Sequence, residues 1–389
     1  MQVLKAVTQQ YNPSPEVLRL LEEFRKMLND CIRIGLAENV TSKQSLAKKA
    51  YSQLSRYNVP TYYRLTAISK AAGIISNYRK TLKEHPDAKQ PFASKKTLTD
   101  CYGFRIITNN VRLPISKTKG FYIKLNKHTL AVISGYTVKS ITLTTYTIAI
   151  TFSKETTEAT DMTGLIGVDR NLDNVTTATL DGETVVYDLS GASKAKALYR
   201  EVKRHFKRND VRVAKKIQQK YGRKQRNRVQ PILHKVSKRI VQQAVANRQG
   251  IVMENLKGIR KLYRKGNGQG KEYRSRLNSW SFYELQRQIE YKAAWEGIPV
   301  FYVHPAKTSK LCAICGSEIS ECTERKVYCH KCNRIMNRDE NAALNIVSAG
   351  LRFSLKGEAG EAMKRNAEKL ILGVDASQLT HHPTVNTCR

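Results

Sequence analysis

The stretch that decides the fold is residues 308–346, which read TSKLCAICGSEISECTERKVYCHKCNRIMNRDENAALNI. It holds two Cys-x-x-Cys pairs, which are Cys312/Cys315 and Cys329/Cys332. Four thiolates at this spacing are typical of one tetrahedral Zn²⁺ site, in which each pair forms one knuckle of a zinc ribbon. We therefore expect a structural zinc ion here, with no open coordination position and no chemistry of its own.

The composition of the chain indicates a polyanionic partner. Of 389 residues, 68 are Lys or Arg and 32 are Asp or Glu, so the formal net charge is +36 at pH 7. So many excess positive charges repel one another in a compact fold, and nucleic acid is the leading candidate for the partner that neutralises them. No apolar run approaches the roughly 20 residues that a spanning helix needs. The cysteines outside the two pairs are scattered singly, which is typical of a reducing compartment. We expect a cytoplasmic protein with no membrane partner and no small-molecule cofactor.

The N-terminal part reads as a β unit that a helical insert interrupts. It begins with a strand, and Ser14-Pro15-Glu16 is a helix start signal that opens a helical region. Strand-like alternation then resumes in three segments, which are 121–125, 129–133 and 140–152. We therefore predict a split β-barrel (wedge) domain and an inserted helical recognition domain, with the bounds 1–10 and 97–160 for the barrel and 11–96 for the insert.

The second half favours an RNase H-like α/β domain. Three strands form a predicted meander with a hairpin turn at Asp181-Gly182. A long helical region at 192–247 follows, with a break expected near Tyr221-Gly222, and then strands and helices alternate. The predicted protein is α+β and multidomain, with the bounds 163–307 and 337–352 for the nuclease-like domain, 308–336 for the zinc ribbon inserted in it, and 353–389 for a partly disordered tail.

Three acids occupy related places in this element order. Asp169 and Glu254 end apolar strands, and Asp339 opens a helix. In RNase H-like folds these positions converge at one edge of the central sheet, where three carboxylates repel one another unless a cation neutralises them. Two Mg²⁺ ions would do so and would support phosphodiester hydrolysis, and oxygen ligands favour Mg²⁺ or Mn²⁺ over zinc. Asp169 or Glu254 alone would more often be a solvated turn residue, and Asp339 alone is well explained as a helix N-terminal acid, so the prediction depends on the set.

A second basic feature is the segment 194–239, which carries 18 Lys and Arg residues and two acids. Its apolar residues keep helical spacing, so we expect a folded helical hairpin with a charged outer face. Like charges four residues apart destabilise a helix, and a phosphate backbone would supply the counter-charge. Nucleic-acid contacts are therefore predicted at Lys203, Arg204, Lys207, Arg208, Lys215, Lys216, Arg223, Lys224, Arg226, Arg228 and, beside the zinc cysteines, Lys310.

At these residues the chain resembles the TnpB family, transposon-encoded RNA-guided nucleases related to type V CRISPR effectors. The family's zinc segment is similar to Thr308-Ser-Lys310 before Cys312. Its three RuvC motifs are similar to Gly167-Val-Asp169-Arg-Asn-Leu-Asp-Asn174, Ile251-Val-Met-Glu254-Asn-Leu and Arg338-Asp339-Glu-Asn341-Ala-Ala. The motifs span residues 163–350, whereas residues 1–160 resemble the family only in layout.

This resemblance implies a function. Asp169, Glu254 and Asp339 would be the RuvC catalytic triad and would hold two Mg²⁺ ions. The protein would bind a guide RNA made from the transposon end and cut double-stranded DNA beside a short target-adjacent motif, in a prokaryotic cytoplasm and close to the nucleoid. Two positions depart from the family. Asn171 stands where many relatives have Gly, and we expect this departure to be harmless, because Asn tolerates positive φ best after Gly. Asn337 stands where many have Asp.

Four other interpretations stay open at this point. A miniature type V CRISPR effector has almost the same sequence features, and only a neighbouring CRISPR array would identify it. A guided DNA-binding repressor without cleavage would normally lack one of the acids. A structural zinc-ribbon RNA-binding protein leaves all three acids unexplained. An unguided resolvase or transposase would cut without bound RNA.

Overall fold

The structure is a computed structural model that describes residues 1–116, 118–159, 162–206, 211–264 and 266–353. The described residues divide into two compact units, which are Gln2–Glu155 and the described part of the chain from Thr156 onward together with Met1. We call them the N-terminal and the C-terminal unit. Each contains helices and sheets, which confirms the predicted α+β class. Within the described residues, no helix has the length and apolar character to cross a membrane.

The N-terminal unit contains two antiparallel sheets and a group of helices. Its first and last strands pair with each other, and the sheet orders are β1-β7-β6-β2 and β3-β4-β5. The elements are β1 (Gln2–Gln10), α1 (Pro15–Ala37), α2 (Lys43–Ala50), a 3₁₀ turn (Gln53–Arg56), α3 (Thr61–Glu84), β2 (Leu98–Asp100), β3 (Arg105–Ile107), β4 (Asn110–Pro114), β5 (Gly120–Lys124), α4 (Lys127–Ile133), β6 (Thr137–Leu143) and β7 (Thr147–Glu155).

Local signals explain where the first helix begins. The Ser14 hydroxyl accepts a hydrogen bond from the Val17 backbone N–H at 3.3 Å, and Pro15 occupies the first turn. Apolar residues at helical spacing, including Phe24 and Leu28, are buried. The start signal in the sequence therefore predicted the observed helix start.

The predicted strand at 129–133 is wrong, because these residues lie in α4. The Asn126 side chain accepts a hydrogen bond from the Thr129 N–H at 2.7 Å and so caps a helix that runs over Lys127–Ile133. Thr129 and Ile133, four residues apart, are both buried, which is the helical period. For a run of five residues, the N-cap and the burial imposed by tertiary packing decide between helix and strand more strongly than a β-branched composition does.

The C-terminal unit is built on a five-stranded mixed sheet with the order β10-β9-β8-β11-β12. The central pairs β8–β11 and β11–β12 are parallel, and β8–β9 and β9–β10 are antiparallel. The elements are β8 (Gly164–Arg170), β9 (Asn174–Thr179), β10 (Thr184–Asp188), α5 (Ser190–Arg204), α6 (Val211–Ala246), β11 (Gln249–Glu254), a 3₁₀ turn (Ile259–Tyr263), α7 (Lys271–Asn278), α8 (Phe282–Glu296), β12 (Val300–Val303), β13 (Ser320–Glu321), β14 (Lys326–Cys329), β15 (Arg334–Asn337) and α9 (Arg338–Phe353).

Helices cover both faces of this sheet. On one face, α6 and α8 bury residues such as Ile240 and Ile289 against Met253 of β11. On the other face, α9 buries Ile346 and Val347 against Val252. Because both faces are covered, the central strands read as continuous apolar runs.

The break expected near Tyr221-Gly222 is wrong, because α6 continues through both residues from Val211 to Ala246. A glycine inside a helix costs only about 1 kcal/mol. The Tyr221 ring packs against Tyr199 and Phe206, with centroids 6.2 and 6.0 Å apart, and this packing offsets that cost. Among the residues predicted to contact nucleic acid, Lys207 and Arg208 lie outside the described residues, as does the predicted tail from residue 354 onward.

Candidate functional site

The four cysteines of the two Cys-x-x-Cys pairs lie together. Their Sγ atoms are all within 4.8 Å of one another. The distance between the Cys312 and Cys332 sulfurs is 3.8 Å, and that between Cys315 and Cys329 is 3.5 Å. A tetrahedral zinc with Zn–S bonds of about 2.3 Å requires sulfurs about 3.8 Å apart, so the cluster fits one zinc ion.

Two of the three acids end adjacent parallel strands. In the β8–β11 register Val168 lies opposite Met253, so Asp169 and Glu254 come next to each other at the carboxyl ends of their strands. Carboxyl ends of parallel strands at the middle of a sheet are a common place for a binding site. The strand positions of these two acids follow from the apolar runs that precede them.

The third acid reaches the same edge because α9 packs closely on β8. A Cβ added at Gly167 would lie 2.3 Å from the carbonyl oxygen of Ala343, so only glycine permits this approach. Asp339 lies one helical turn before Ala343. The Asn337 side-chain oxygen accepts hydrogen bonds from the N–H groups of Asp339 at 2.8 Å and Glu340 at 3.3 Å, and it therefore caps the helix that carries the acid.

The carboxylates interact electrostatically. Asp169 is only 8% exposed, and this burial, together with the nearby charges of Glu254 and Asp339, raises the pKa of Asp169 to about 7. Burial also raises the pKa of Glu254. The structure thus brings the three predicted acids together in a site with excess negative charge. Carboxylate oxygens in this arrangement fit a hard divalent cation such as Mg²⁺ or Mn²⁺.

Two asparagines connect the acids, and the sequence reasoning missed their role. The Asn171 amide donates to Asp169 Oδ2 at 2.7 Å and to Asn174 Oδ1 at 3.1 Å, and the Asn174 amide donates to Asp339 Oδ2 at 3.1 Å. Asn171 does not have positive φ, so the backbone here does not need the conformational freedom of a glycine. The position serves a side-chain hydrogen bond and not a glycine-like turn.

Glu254 is held from two sides. The Thr308 hydroxyl donates to Glu254 Oε1 at 2.5 Å, so the segment before the zinc cysteines reaches this acid. The buried Arg170 guanidinium donates to the Glu254 main-chain carbonyl and to Gln286 Oε1, the latter at 2.8 Å. Burial lowers the pKa of Arg170. A buried cation behind the acids offsets part of their mutual repulsion.

The zinc ribbon is tied to α9 through asparagine side chains. Asn341, which is 1% exposed, accepts from the Ala313 N–H and donates to the Leu311 carbonyl, both at 2.8 Å. Asn345 donates to the same carbonyl at 2.7 Å and to the Thr308 carbonyl at 2.8 Å. The first cysteine knuckle is therefore fixed to the helix that carries Asp339.

One cation of the ribbon also lies at the acids. The Arg325 guanidinium is 3.4 Å from Asp339 Oδ2, and the Arg325 carbonyl accepts from the Arg338 N–H at 2.8 Å. Arg325 has a φ of 62°, in the left-handed region. No motif in the sequence pointed to this residue, because its turn is far from the strands in the chain order.

The predicted nucleic-acid residues lie mainly on one helix. Arg204 of α5 is exposed and pairs with Glu201 at 3.0 Å and Glu272 at 3.5 Å. Lys203 is half-buried on the same helix, and Lys310 is exposed in the turn before Cys312. The residues on α6 are exposed, and they are Lys215, Lys216, Arg223, Lys224, Arg226 and Arg228.

Similarities to known proteins extend over most of the chain. Residues 282–346 match the family Cas12f1-like, TNB domain. TnpB-like protein MJ0751 of Methanocaldococcus jannaschii is 40% identical over 34% of this chain, and the match spans 46% of that relative, about half its length. TnpB-like protein MJ1635 of the same organism is 27% identical over 85% of this chain and 81% of the relative.

Two further similarities carry names that describe an activity or a complex. The Escherichia coli protein named putative RNA-guided DNA endonuclease InsQ is 26% identical over 69% of this chain and 70% of its own length. The Cas12f1 chain of a Cas12f1-sgRNA-target DNA complex shares the fold, with a TM-score of 0.59 at 16% identity over 85% of this chain and 82% of that chain. The sequence matches agree with the family predicted from the motifs, because the chain is similar to TnpB-like proteins over most of its length.

Proposed function

We propose that this protein is an RNA-guided DNA endonuclease that cuts double-stranded DNA next to a short target-adjacent motif. The observation that carries the proposal is the convergence of Asp169, Glu254 and Asp339 at one sheet edge, with a pKa of Asp169 raised to about 7. One relative is named putative RNA-guided DNA endonuclease InsQ, and a chain with the same fold comes from a Cas12f1-sgRNA-target DNA complex. Both similarities support the guide RNA and DNA partners.

The three acids would hold two Mg²⁺ ions in a RuvC-type site. Bound there, the ions supply activation of the attacking water and stabilisation of the leaving oxygen. The chain's own residues orient the ligands: Asn171 and Asn174 fix Asp169 and Asp339, and Thr308 fixes Glu254. Because a deprotonated carboxylate is the ligand, metal binding should displace the proton that Asp169 holds below about pH 7.

The domain bounds belong to the same proposal. The sheet β1-β7-β6-β2 with β3-β4-β5 would form the split barrel (1–10 and 97–160), and α1–α3 the helical insert (11–96). The mixed sheet with α6, α8 and α9 would be the RNase H-like domain (163–307 and 337–352), with the zinc ribbon (308–336) inserted in it. In the ribbon, the zinc would fold the module that carries Thr308 and Arg325 and take no part in chemistry.

The exposed cations of α6 and Lys310 would contact the phosphates of a guide RNA that derives from the transposon end. Base pairing would supply most of the sequence specificity, and protein contacts would follow the shape of the heteroduplex. A repressor without cleavage is disfavoured because all three acids are present and lie together. A miniature CRISPR effector differs in the source of its guide and not in this site. These partners imply a nucleoid-associated protein.

The test is to purify the protein from its host, sequence the RNA that copurifies, and assay cleavage of matching DNA with Mg²⁺. We expect cleavage only when RNA, Mg²⁺ and a matching target are all present. Cutting after RNase treatment would favour an unguided nuclease or transposase. Tight RNA-directed binding without any cutting would favour the repressor.

A further inference from the structure

The loop between β8 and β9 lies beside the acids, and donors from outside the loop hold its main chain. The Asn171 carbonyl accepts a hydrogen bond from the indole N–H of Trp280 at 2.8 Å. The carbonyls of the next two residues accept from the Ser193 hydroxyl at 2.9 Å and from the Leu189 N–H at 2.8 Å. The Asn171 N–H donates to the Asn174 carbonyl at 2.9 Å. The backbone of this loop is therefore fixed by partners on other elements, and the first of them is an indole.

Trp280 lies between α7 and α8, and one half-buried lysine holds the residues on both sides of it. Lys196 of α5 donates to the Ser279 carbonyl and to the Ser281 hydroxyl. The indole ring packs on the ring of Phe282, with centroids 4.9 Å apart and planes inclined at 52°. Because its neighbours and its ring face are both held, the indole keeps its N–H directed at the loop.

A continuous series of contacts leads from this indole to two of the acids. Trp280 fixes the main chain of Asn171, whose amide donates to Asp169 Oδ2 at 2.7 Å. The second N–H of the same amide donates to Asn174 Oδ1 at 3.1 Å, and the Asn174 amide donates to Asp339 Oδ2 at 3.1 Å. A side-chain amide has only two N–H groups, and this one uses both. The orientation of the amide, and with it the placement of the two aspartate carboxylates, therefore depends on the indole.

Placement of the carboxylates matters because Mg²⁺ demands near-ideal octahedral geometry, with oxygen ligands at about 2.0–2.1 Å. Groups that orient metal ligands through hydrogen bonds typically change metal affinity about 10- to 100-fold when they are mutated. Asn171 is such a group, since it contacts a carboxylate directly. Trp280 contacts only the Asn171 main chain, so its effect should be smaller and should depend on the Asn171 amide.

We propose that Trp280 is a positioning residue for the divalent-metal site and that it acts through Asn171. The indole N–H holds the Asn171 carbonyl, and the Asn171 amide thereby keeps Asp169 Oδ2 in place for the metal. The proposal rests on the nuclease function above, because that function supplies the metal that the acids would hold. A tryptophan that only stabilised the fold would leave metal affinity unchanged, so the two roles can be separated.

The test measures the Mn²⁺ affinity of the zinc-loaded full chain by electron paramagnetic resonance. Trp280→Phe keeps an aromatic ring, removes the N–H and should weaken binding about fivefold, as expected for the loss of one hydrogen bond. Asn171→Ala should weaken it about tenfold or more. The double variant should bind Mn²⁺ as Asn171→Ala does, because the amide through which Trp280 acts is already absent. Trp295→Phe, the same change at a buried tryptophan of α8, is the matched control and should bind Mn²⁺ like the wild type.

Equal Mn²⁺ affinities of Trp280→Phe and Trp295→Phe would overturn the proposal, as would a loss in the double variant equal to the product of the two single losses. If the wild type binds no Mn²⁺, the metal site of the proposed function fails, and nuclear magnetic resonance still decides the role of Trp280. The signal of the Asn171 side-chain amide is identified by its absence in Asn171→Ala. Trp280→Phe should move this signal toward the position of solvent-exposed amides, and Trp295→Phe should not. An unmoved signal in Trp280→Phe would show that the indole does not position Asn171.

Discussion

The four thiolates and the three carboxylates differ in how the chain assembles them. Two short pairs and one hairpin bring Cys312, Cys315, Cys329 and Cys332 together, and local spacing nearly determines their geometry. The acids come from β8, β11 and α9, and only the packing of the whole sheet brings them to one edge. A site whose residues are close together in the sequence can therefore be predicted from their spacing. A site whose residues are far apart in the sequence can be predicted only once the fold is known.

The two sites are also coupled. Thr308 links the segment before the ribbon to Glu254, and Asn341 links the first knuckle to the helix of Asp339. A change at the thiolates should therefore reach the acids, while a change at the acids should leave the thiolates intact. Variants at the thiolates and at the acids can test this asymmetry.

The largest effect is expected from Cys329→Ser. Structural zinc contributes about 10 kcal/mol or more to the folding of small zinc modules. We expect loss of bound zinc, a lower melting temperature and loss of cleavage. Elemental analysis, thermal unfolding and a cleavage assay measure these. Cys101→Ser changes an exposed free cysteine outside the ribbon and should alter none of them. Full cleavage by a zinc-free variant would break the proposed coupling.

The next effect comes from neutral replacements of the acids, which are Asp169→Asn, Glu254→Gln and Asp339→Asn. Each should slow cleavage at least about a thousandfold, because metal stabilisation worth several kcal/mol is lost. Zinc content and RNA binding should not change. At pH 8 without Mg²⁺, Asp169→Asn should raise the melting temperature. The buried Asp169 carboxyl has a pKa of about 7, so at pH 8 it is ionised at a cost in stability, and the substitution removes that charge. Glu340→Gln, beside Asp339, is the control. If any of the three variants cut DNA at a rate close to that of Glu340→Gln, the assignment of the three acids as metal ligands would be contradicted.

Gly167→Ala tests how the third acid is placed. The new methyl group would lie 2.3 Å from the Ala343 carbonyl, so α9 must move, at a cost of about 1–3 kcal/mol. Urea unfolding should show this loss, and Mn²⁺ affinity should fall with it. Gly222→Ala, in a helix with nothing within 4 Å of the added atom, should instead be stabilised by up to about 1 kcal/mol. Equal effects at the two glycines would refute the close-packing argument.

The smallest effect is expected from Asn337→Ala. Loss of its bonds to the Asp339 and Glu340 N–H groups should cost about 1 kcal/mol and weaken Mg²⁺ binding modestly. Asn337→Asp should restore the cap, because Asp serves equally well there. Denaturant unfolding and a Mg²⁺ titration of cleavage measure both variants. If Asn337→Ala and Asn337→Asp had the same free energy of unfolding and the same Mg²⁺ dependence of cleavage, Asn337 would have no role in positioning Asp339.

Much of the site could be predicted from the sequence because apolar runs end at Asp169 and Glu254, and a helix signal surrounds Asp339. The supporting residues could not be predicted. Asn171 and Thr308 act through side-chain bonds to acids on other parts of the chain, and Arg325 through a turn with positive φ. The helix at Thr129–Ile133 and the unbroken α6 were mispredicted because capping and ring packing outweigh composition.

The most direct test of the central claim is a count of Mn²⁺ bound to the zinc-loaded protein by electron paramagnetic resonance, with Mg²⁺ as competitor. We expect two Mn²⁺ ions that Mg²⁺ displaces in the wild type, and weakened or absent binding in Glu254→Gln with the zinc content unchanged. Equal Mn²⁺ binding by the wild type and Glu254→Gln, or none by the wild type, would contradict the claim that the three acids form a divalent-metal site.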